Sequence, residues 1–239
     1  MGGGAREIVL AVTGASGTVY ARALGRILVA AGARVHWIVS PHGEELLRHE
    51  LGVTRSSPRA LLGDDCDDES AAGQWHAYTD LADPLACGST WTDAMAICPC
   101  SSHTLAAVAA GLADNLITRA AHVHLKQRRP LVLVPRETPL SVIDLENQFR
   151  LARAGAVIAP ACPGFYNGPE TVADLVTFIA ARVADLLGVR GAVEPYRKQN
   201  PKPETRNPQQ IPNSKSRKSQ TRPRVTAYGV TVRVCDFPL

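Results

Sequence analysis

The stretch Glu7–Ser40, EIVLAVTGASGTVYARALGRILVAAGARVHWIVS, decides the fold. It opens with an unbroken apolar run, residues 7–13, the pattern of a strand buried on both faces of a parallel sheet. Gly14-Ala15-Ser16-Gly17 follows at once. Tyr20, Leu24, Ile27, Leu28 and Ala31 then recur at helical spacing until Gly32 stops them. Residues 34–40 read as a second strand. Strand, helix and strand in this order make a βαβ unit with a right-handed crossover.

Working outward, the alternation continues. A short helix is expected over 41–50, and strands over 94–99, 131–134 and 156–159. Helices are expected over 105–112, 115–128 and, from the capping-box pair Ser141/Asp144, through about Ala154. Thr171 and Asp174 cap a last helix, whose apolar face is Val172, Leu175, Val176, Ile179, Val183 and Leu186. The pattern predicts an α/β fold with a mostly parallel sheet covered on both faces. Residues 55–90 carry the weakest pattern. Their acidic run, Asp64 to Glu69 around Cys66, reads as a solvated loop rather than a metal site.

The chain has 239 residues, 45% of them hydrophobic and 20% charged. That is enough for one sizeable core, and it excludes collagen-like, disulfide-scaffold and wholly disordered classes. No apolar run approaches the roughly 20 residues that span a bilayer, and the N-terminus reads as the start of a strand rather than a signal peptide. Six scattered cysteines without zinc spacing point to reduced thiols and a cytoplasmic location. The net charge of +4 divides unevenly: residues 1–196 carry −4 and residues 197–239 carry +8. The acidic body gives no argument for nucleic acid. Residues 197–224 are proline-rich and nearly devoid of apolar side chains, so a disordered basic tail is expected after a single domain ending at residue 196. Residues 225–234 have strand-like composition.

In an open α/β sheet, ligands sit beyond the carboxyl ends of the strands. Gly14–Gly17 opens a helix there, so its N–H groups are candidates for a phosphate. Ser101, Ser102 and Thr104 open another, as caps or as ligands. Two hydroxyl-rich helix starts beyond neighbouring strands suggest a mononucleotide. Nicotinamide dinucleotides are disfavoured: TGxxxGxG fails at Thr18 and Tyr20, no Tyr-x-x-x-Lys occurs, and GxGxxG is absent. Arg119 and Lys126 stand two turns apart on one otherwise apolar helix, followed by Arg128, Arg129, Arg136 and, on the last helix, Arg182. Arg119 is expected to be half-buried and to need an anion, with phosphate a natural one. Glu137 is either a proton-handling carboxylate or an ion-pair partner.

Three blocks, TGASG at 13–17, CPCSSHTLAAVAAGLADNLITRAAHVHLKQRRPLVLVPRETPL at 98–140 and GAVIAPACPGFYNGPETVADLVTFIAAR at 155–182, resemble the flavin prenyltransferase family, over roughly residues 6–196. The resemblance implies a flavodoxin-like Rossmann fold of three layers, α/β/α, assembled into a dodecamer with active sites between subunits. It implies FMN and dimethylallyl monophosphate as ligands, prenylation of reduced FMN at N5 and C6 with release of phosphate, no metal, and a UbiD-type decarboxylase as recipient of the prenylated FMN. By matching motif, Gly14, Ala15, Ser16, Ser40, Ser101, Ser102, His103, Thr104 and Arg136 would contact FMN. Gly88, Ser89, Arg119, Lys126, Tyr166 and Arg182 would bind the prenyl phosphate. Glu137, Ser16 and Glu50 would be the catalytic groups, the two carboxylates handling protons. The chain departs from the family at Cys87-Gly88-Ser89, where Ser-Gly-Ser is frequent, and at Leu81, where some members carry Trp. The rival readings are an FMN-dependent decarboxylase acting on a cysteine-containing peptide, whose catalytic histidine and clamping motif are missing here, and a flavin-binding subunit of a decarboxylase. A regulator whose basic tail binds RNA or membrane is the third.

Overall fold

The computed structural model describes residues 5–55, 57–63 and 73–189, together with the backbone of 225–227 and 230–232. The chain divides into two units, residues 1–199 and 200–239.

In the first unit, six strands form one sheet in the order β3-β2-β1-β4-β5-β6. They are β1 (Glu7–Val12), β2 (Arg34–Val39), β3 (Gln74–His76), β4 (Ala94–Cys100), β5 (Leu131–Pro135) and β6 (Val157–Ile158). Every pairing is parallel, so the sheet is wholly rather than mostly parallel. Alternate residues of β1 divide the core. Ile8, Leu10 and Val12 pack with Leu24, Leu28, Trp37, Ile179 and Val183 on one face. Val9 and Ala11 pack with Ile97, Leu105, Leu116, Ile117 and Leu133 on the other. The helices α1 (Thr18–Ala30), α2 (Pro41–Leu51), α3 (Pro58–Leu62) and α7 (Val172–Leu186) contribute to the first core. The helices α4 (Ser102–Ala110), α5 (Leu116–Lys126) and α6 (Val142–Arg153) contribute to the second. This is the expected three-layer α/β/α fold.

Local chemistry sets the boundaries. Ser101, Asn115, Ser141 and Thr171 each accept an N–H of the first helical turn, and the last two form full capping boxes. The Ser101 cap starts α4 three residues before the expected position, and Gly111, at φ 84°, ends it. Val172 was expected on the buried stripe of α7, but it is 75% exposed. It lies in the overhanging first turn, and burial begins at Val176.

The weak stretch holds two elements that no periodicity announces. The five-residue helix α3 is held on α1 by Arg22 Nε to the Leu61 carbonyl at 2.7 Å and Arg26 Nε to the Leu62 carbonyl at 2.6 Å. The three-residue strand β3 pairs with β2 through Trp37 opposite Trp75. A 3₁₀ turn, Pro84–Ala86, follows. The acidic run around Cys66 and the basic segment 197–224 lie outside the described residues. In the second unit, β7 (Val225–Ala227) and β8 (Val230–Val232) form an antiparallel pair, in the expected strand-like segment.

Candidate active site

The strand order reverses between β1 and β4, and the loops leaving these two strands stand side by side at their carboxyl ends. Such a switch point is where open α/β sheets bind ligands. Thr13 staples the two loops. Its Oγ donates to the Pro99 carbonyl at 2.9 Å and accepts the Ser101 N–H at 2.8 Å, and its own N–H reaches the Pro99 carbonyl at 3.2 Å. Ser101 Oγ accepts the Thr104 N–H and donates to Thr104 Oγ. The N–H groups of Ser102 and His103, in the first turn of α4, have no intrahelical acceptor by position, and the helix dipole favours an anion there.

The loop after β2 closes in from a third side. Buried Ser40 caps α2 by accepting the Gly43 N–H at 3.1 Å. A Cβ on Gly14 would stand 2.7 Å from the His42 Cβ, so only glycine lets the start of α2 approach the loop after β1 this closely.

The start of α1 corrects an expectation. Gly17, at φ 109°, is an N-cap without a side-chain acceptor. Its N–H and that of Thr18 go instead to the Glu50 carboxylate, at 3.0 and 2.8 Å, and the Thr18 hydroxyl joins them at 2.8 Å. The anion at this helix terminus is therefore the chain's own carboxylate, and these N–H groups are not open to a phosphate. Burial acts to raise the Glu50 carboxyl, but hydrogen bonds from the Ser16 and Thr18 hydroxyls and from the two N–H groups outweigh it and hold the carboxyl below its usual range.

Ser16 is held from two sides, because Arg136 Nε donates to its carbonyl at 3.0 Å. Glu137, the next residue, is exposed; the Ser102 hydroxyl stands 3.5 Å from one oxygen and the Thr138 N–H 3.1 Å from the other. The loops after β1, β4 and β5 thus share one cradle, with Ser16, Ser102, Arg136 and Glu137 brought together.

The cationic group forms around residues 86–92. Arg119 is half-buried, as expected, and its Nε donates to the Ala86 carbonyl at 2.9 Å. Among the described residues neither Arg119 nor exposed Lys126 pairs with a carboxylate. Lys126 lies close to Gly88: its Cε would stand 3.5 Å from a Cβ there. The Cys87 Sγ is 3.0 Å from the Ser89 Oγ. The Ser89 hydroxyl and N–H, then the Lys126 and Arg119 charges, draw the exposed Cys87 thiol below its ordinary value. Gly88, Ser89, Arg119 and Lys126 are therefore one cluster, with Cys87 inside it.

Tyr166 and Arg182 are elsewhere. Tyr166, 68% exposed, meets Phe178 of α7 edge-on at 5.8 Å, and exposed Arg182 stands 3.9 Å from Asp185. Both belong to the layer of α1 and α7, across the sheet from α5. One chain therefore does not gather the whole expected phosphate set.

Sequence reasoning missed four residues. In the sequence Thr13 only ends an apolar run, and Arg129 only belongs to a basic one. Thr92 and His124 form a buried link to Arg129: His124 Nδ1–H donates to the Ala120 carbonyl at 2.8 Å, and Nε2 accepts the Thr92 hydroxyl at 3.0 Å. None of these has a local signature, since each partner is a backbone atom or lies far along the chain.

The cradle suits FMN. It offers a glycine that leaves space, first-turn N–H groups with a favourable dipole, hydroxyls, and an arginine for an anion. Among the described residues, no helix is long and apolar enough to cross a membrane.

The flavoprotein family model matches residues 3–184. The flavin prenyltransferase UbiX of Pseudomonas aeruginosa is 47% identical over 192 residues, covering 78% of this chain and 91% of that protein. The crystal structure of AnUbiX (PadA1) in complex with FMN and dimethylallyl pyrophosphate superposes with a TM-score of 0.70 at 38% identity, covering 77% of this chain and 93% of that one. A dodecameric FMN-dependent UbiX-like decarboxylase from Escherichia coli O157:H7 superposes with a TM-score of 0.67 at 39% identity, covering 76% and 94%. On this evidence the chain belongs to the flavin prenyltransferase (UbiX) family of flavoproteins.

Proposed function

We propose that the chain is a flavin prenyltransferase that moves a dimethylallyl group from dimethylallyl monophosphate to N5 and C6 of reduced FMN and releases phosphate. The observation that carries this reading is a pair of cations, Arg119 and Lys126, with no carboxylate partner among the described residues, beside the Gly88–Ser89 backbone. A phosphate leaving without a metal needs such fixed charges where negative charge develops.

Reduced FMN supplies the nucleophilic ring atoms. Gly14, Ala15, Ser40, Ser101, Ser102, His103, Thr104 and Arg136 hold it at the switch point. Arg119, Lys126 and the donors of Gly88 and Ser89 hold the phosphate and receive its charge. The Ser16 hydroxyl donates a hydrogen bond to Glu50, which leaves Oγ free to accept the proton on the ring nitrogen, and Glu50, held ionised, is the base behind it. Glu137 handles the second proton beside Ser102.

Tyr166 and Arg182 complete the phosphate set from a second copy, in a dodecamer with sites between subunits. Their place across the sheet supports this, as do the exposed apolar side chains Val142, Ile143, Leu145 and Phe149 of α6, which form a surface suited to association. The catalytic domain is residues 1–196, with 197–239 a basic tail dispensable for the chemistry. The cytoplasm is the location; among the described residues the thiols of Cys87, Cys98, Cys100 and Cys162 are unpaired, which supports it. A UbiD-type decarboxylase receives the product.

The test is anaerobic incubation with reduced FMN and dimethylallyl monophosphate, followed by mass analysis of the extracted flavin. A gain of one five-carbon prenyl unit is expected. Unmodified flavin with both mono- and diphosphate donors refutes the reading. Lys126→Ala and Glu137→Gln should retain FMN and lose transfer.

A further inference from the structure

Residues 88–92 owe their path to a side chain outside the cradle. Arg129 lies just past the end of α5, where Arg128 turns the chain through a left-handed conformation at φ 54°. The Arg129 guanidinium gives Nη2 to the Gly88 carbonyl at 2.9 Å, and Nη1 to the Thr90 carbonyl at 2.7 Å and the Thr92 Oγ at 3.3 Å. It also lies over the Trp91 ring, 4.8 Å from the centroid. No acidic side chain pairs with it among the described residues. Its fork is spent on one backbone segment, at alternate residues.

Peptide planarity converts this grip into an orientation. Among the described residues the cis peptide bonds are Cys98–Pro99 and Thr138–Pro139, so the bond from Gly88 to Ser89 is trans. In a trans peptide the C=O and the following N–H point opposite ways. Turning the Gly88 carbonyl toward Arg129 therefore turns the Ser89 N–H away from it. The Ser89 N–H and hydroxyl both act on the Cys87 thiol, whose Sγ is 3.0 Å from the Ser89 Oγ.

We propose that Arg129 is a positioning residue for the prenyl-phosphate subsite: by holding the Gly88 and Thr90 carbonyls it presents the Ser89 N–H and hydroxyl, beside Lys126, to the phosphate. Assignment of these residues to the phosphate rests on the function proposed above. The role needs a planar fork as well as a charge, so lysine replaces it only in part.

The experiment compares the full-length, FMN-loaded wild type with Arg129→Gln and Arg129→Lys. In Arg129→Gln, KM for dimethylallyl monophosphate should rise about tenfold or more while kcat changes by less than about threefold, as expected when binding contacts to a bound group are lost. FMN affinity, read by flavin fluorescence, should be unchanged, and Arg129→Lys should fall between the two. Amide exchange in a peptide spanning residues 84–93 should accelerate in the glutamine variant, a readout independent of turnover. An active wild type with unchanged KM in Arg129→Gln overturns the proposal, and so does FMN affinity falling in step with KM. If the wild type transfers no prenyl group, the proposed function fails, and unchanged exchange across 84–93 then overturns the positioning role as well. Should Arg129→Gln not fold, the same KM and exchange comparison on Arg129→Lys decides it.

Discussion

Acid should destabilise this protein through one buried histidine. His124 is 1% exposed. Its Nδ1 faces the Ala120 carbonyl and must carry the proton, so in the neutral ring Nε2 is the acceptor for the Thr92 hydroxyl. Thr92 Oγ in turn accepts from Arg129 Nη1. Each bond in this series has a donor and an acceptor only while the imidazole is neutral. Burial, and then the Arg129 charge, push His124 down from 6.5 to about 4, against the opposing effect of the Ala120 bond. Between pH 6.5 and about 4 the unfolded chain therefore takes a proton that the native state refuses. Stability is unaffected by this group above that window and falls as pH drops through it. Each pH unit costs up to ~1.4 kcal/mol, or about 3 kcal/mol across the window. The assay is urea unfolding at one protein concentration, at pH 7 and pH 4, for wild type and His124→Gln, which cannot titrate. The advantage of wild type over the variant should shrink by about 3 kcal/mol between the two pH values. A change below about 1 kcal/mol would show that the native state accommodates the charged ring and would refute the argument.

Thr92→Val keeps shape but leaves buried His124 Nε2 without its donor, and urea unfolding should show a loss of about 1–3 kcal/mol. Glu50→Gln removes the anion at the start of α1; the loss, about 0.5–1 kcal/mol at pH 7, should shrink as pH falls below the ordinary glutamate range and vanish once the lowered Glu50 carboxyl is itself protonated, because a carboxylate held below its usual range stabilises only while ionised. Gly14→Ala forces a Cβ to within 2.7 Å of His42 and should weaken FMN retention in a flavin fluorescence titration. Of the described cysteines in the native protein at pH 7, a maleimide should label Cys87 fastest, whereas Cys98, pushed up by burial and the neighbouring Cys100, and Cys100, pushed up by burial to about 12, should react only after unfolding.

The legible parts of this chain are those whose cause is local. Apolar runs at 7–12, 94–100 and 131–135 are strands because both of their faces are buried. Ser141 and Thr171 mark helix starts because the N–H groups they satisfy are three residues away, whereas the expected helix over 105–112 runs through Gly111, which in the structure ends α4. The glycine and hydroxyl groups of 14–17 and 101–104 stand out in the sequence because they follow strands and open helices, and the structure sets the two loops side by side through Thr13 while giving the Gly17 and Thr18 N–H groups to Glu50. Tertiary structure alone decided the rest. Glu50 closes a helix that begins 32 residues earlier at Thr18. Thr13 ties itself to Pro99 and Ser101, 86 and 88 residues on. Arg129 grips a loop some forty residues before it. The same holds for β3, whose three residues gain a ladder only by lying on β2. It holds too for the separation of Arg119 and Lys126 from Tyr166 and Arg182, which two layers and a sheet impose. Sequence spacing carries the short-range bonds of caps and strands. It carries nothing about which distant carbonyl or carboxylate will stand within 3 Å of a donor, because packing of the two cores on opposite faces of the sheet sets that distance.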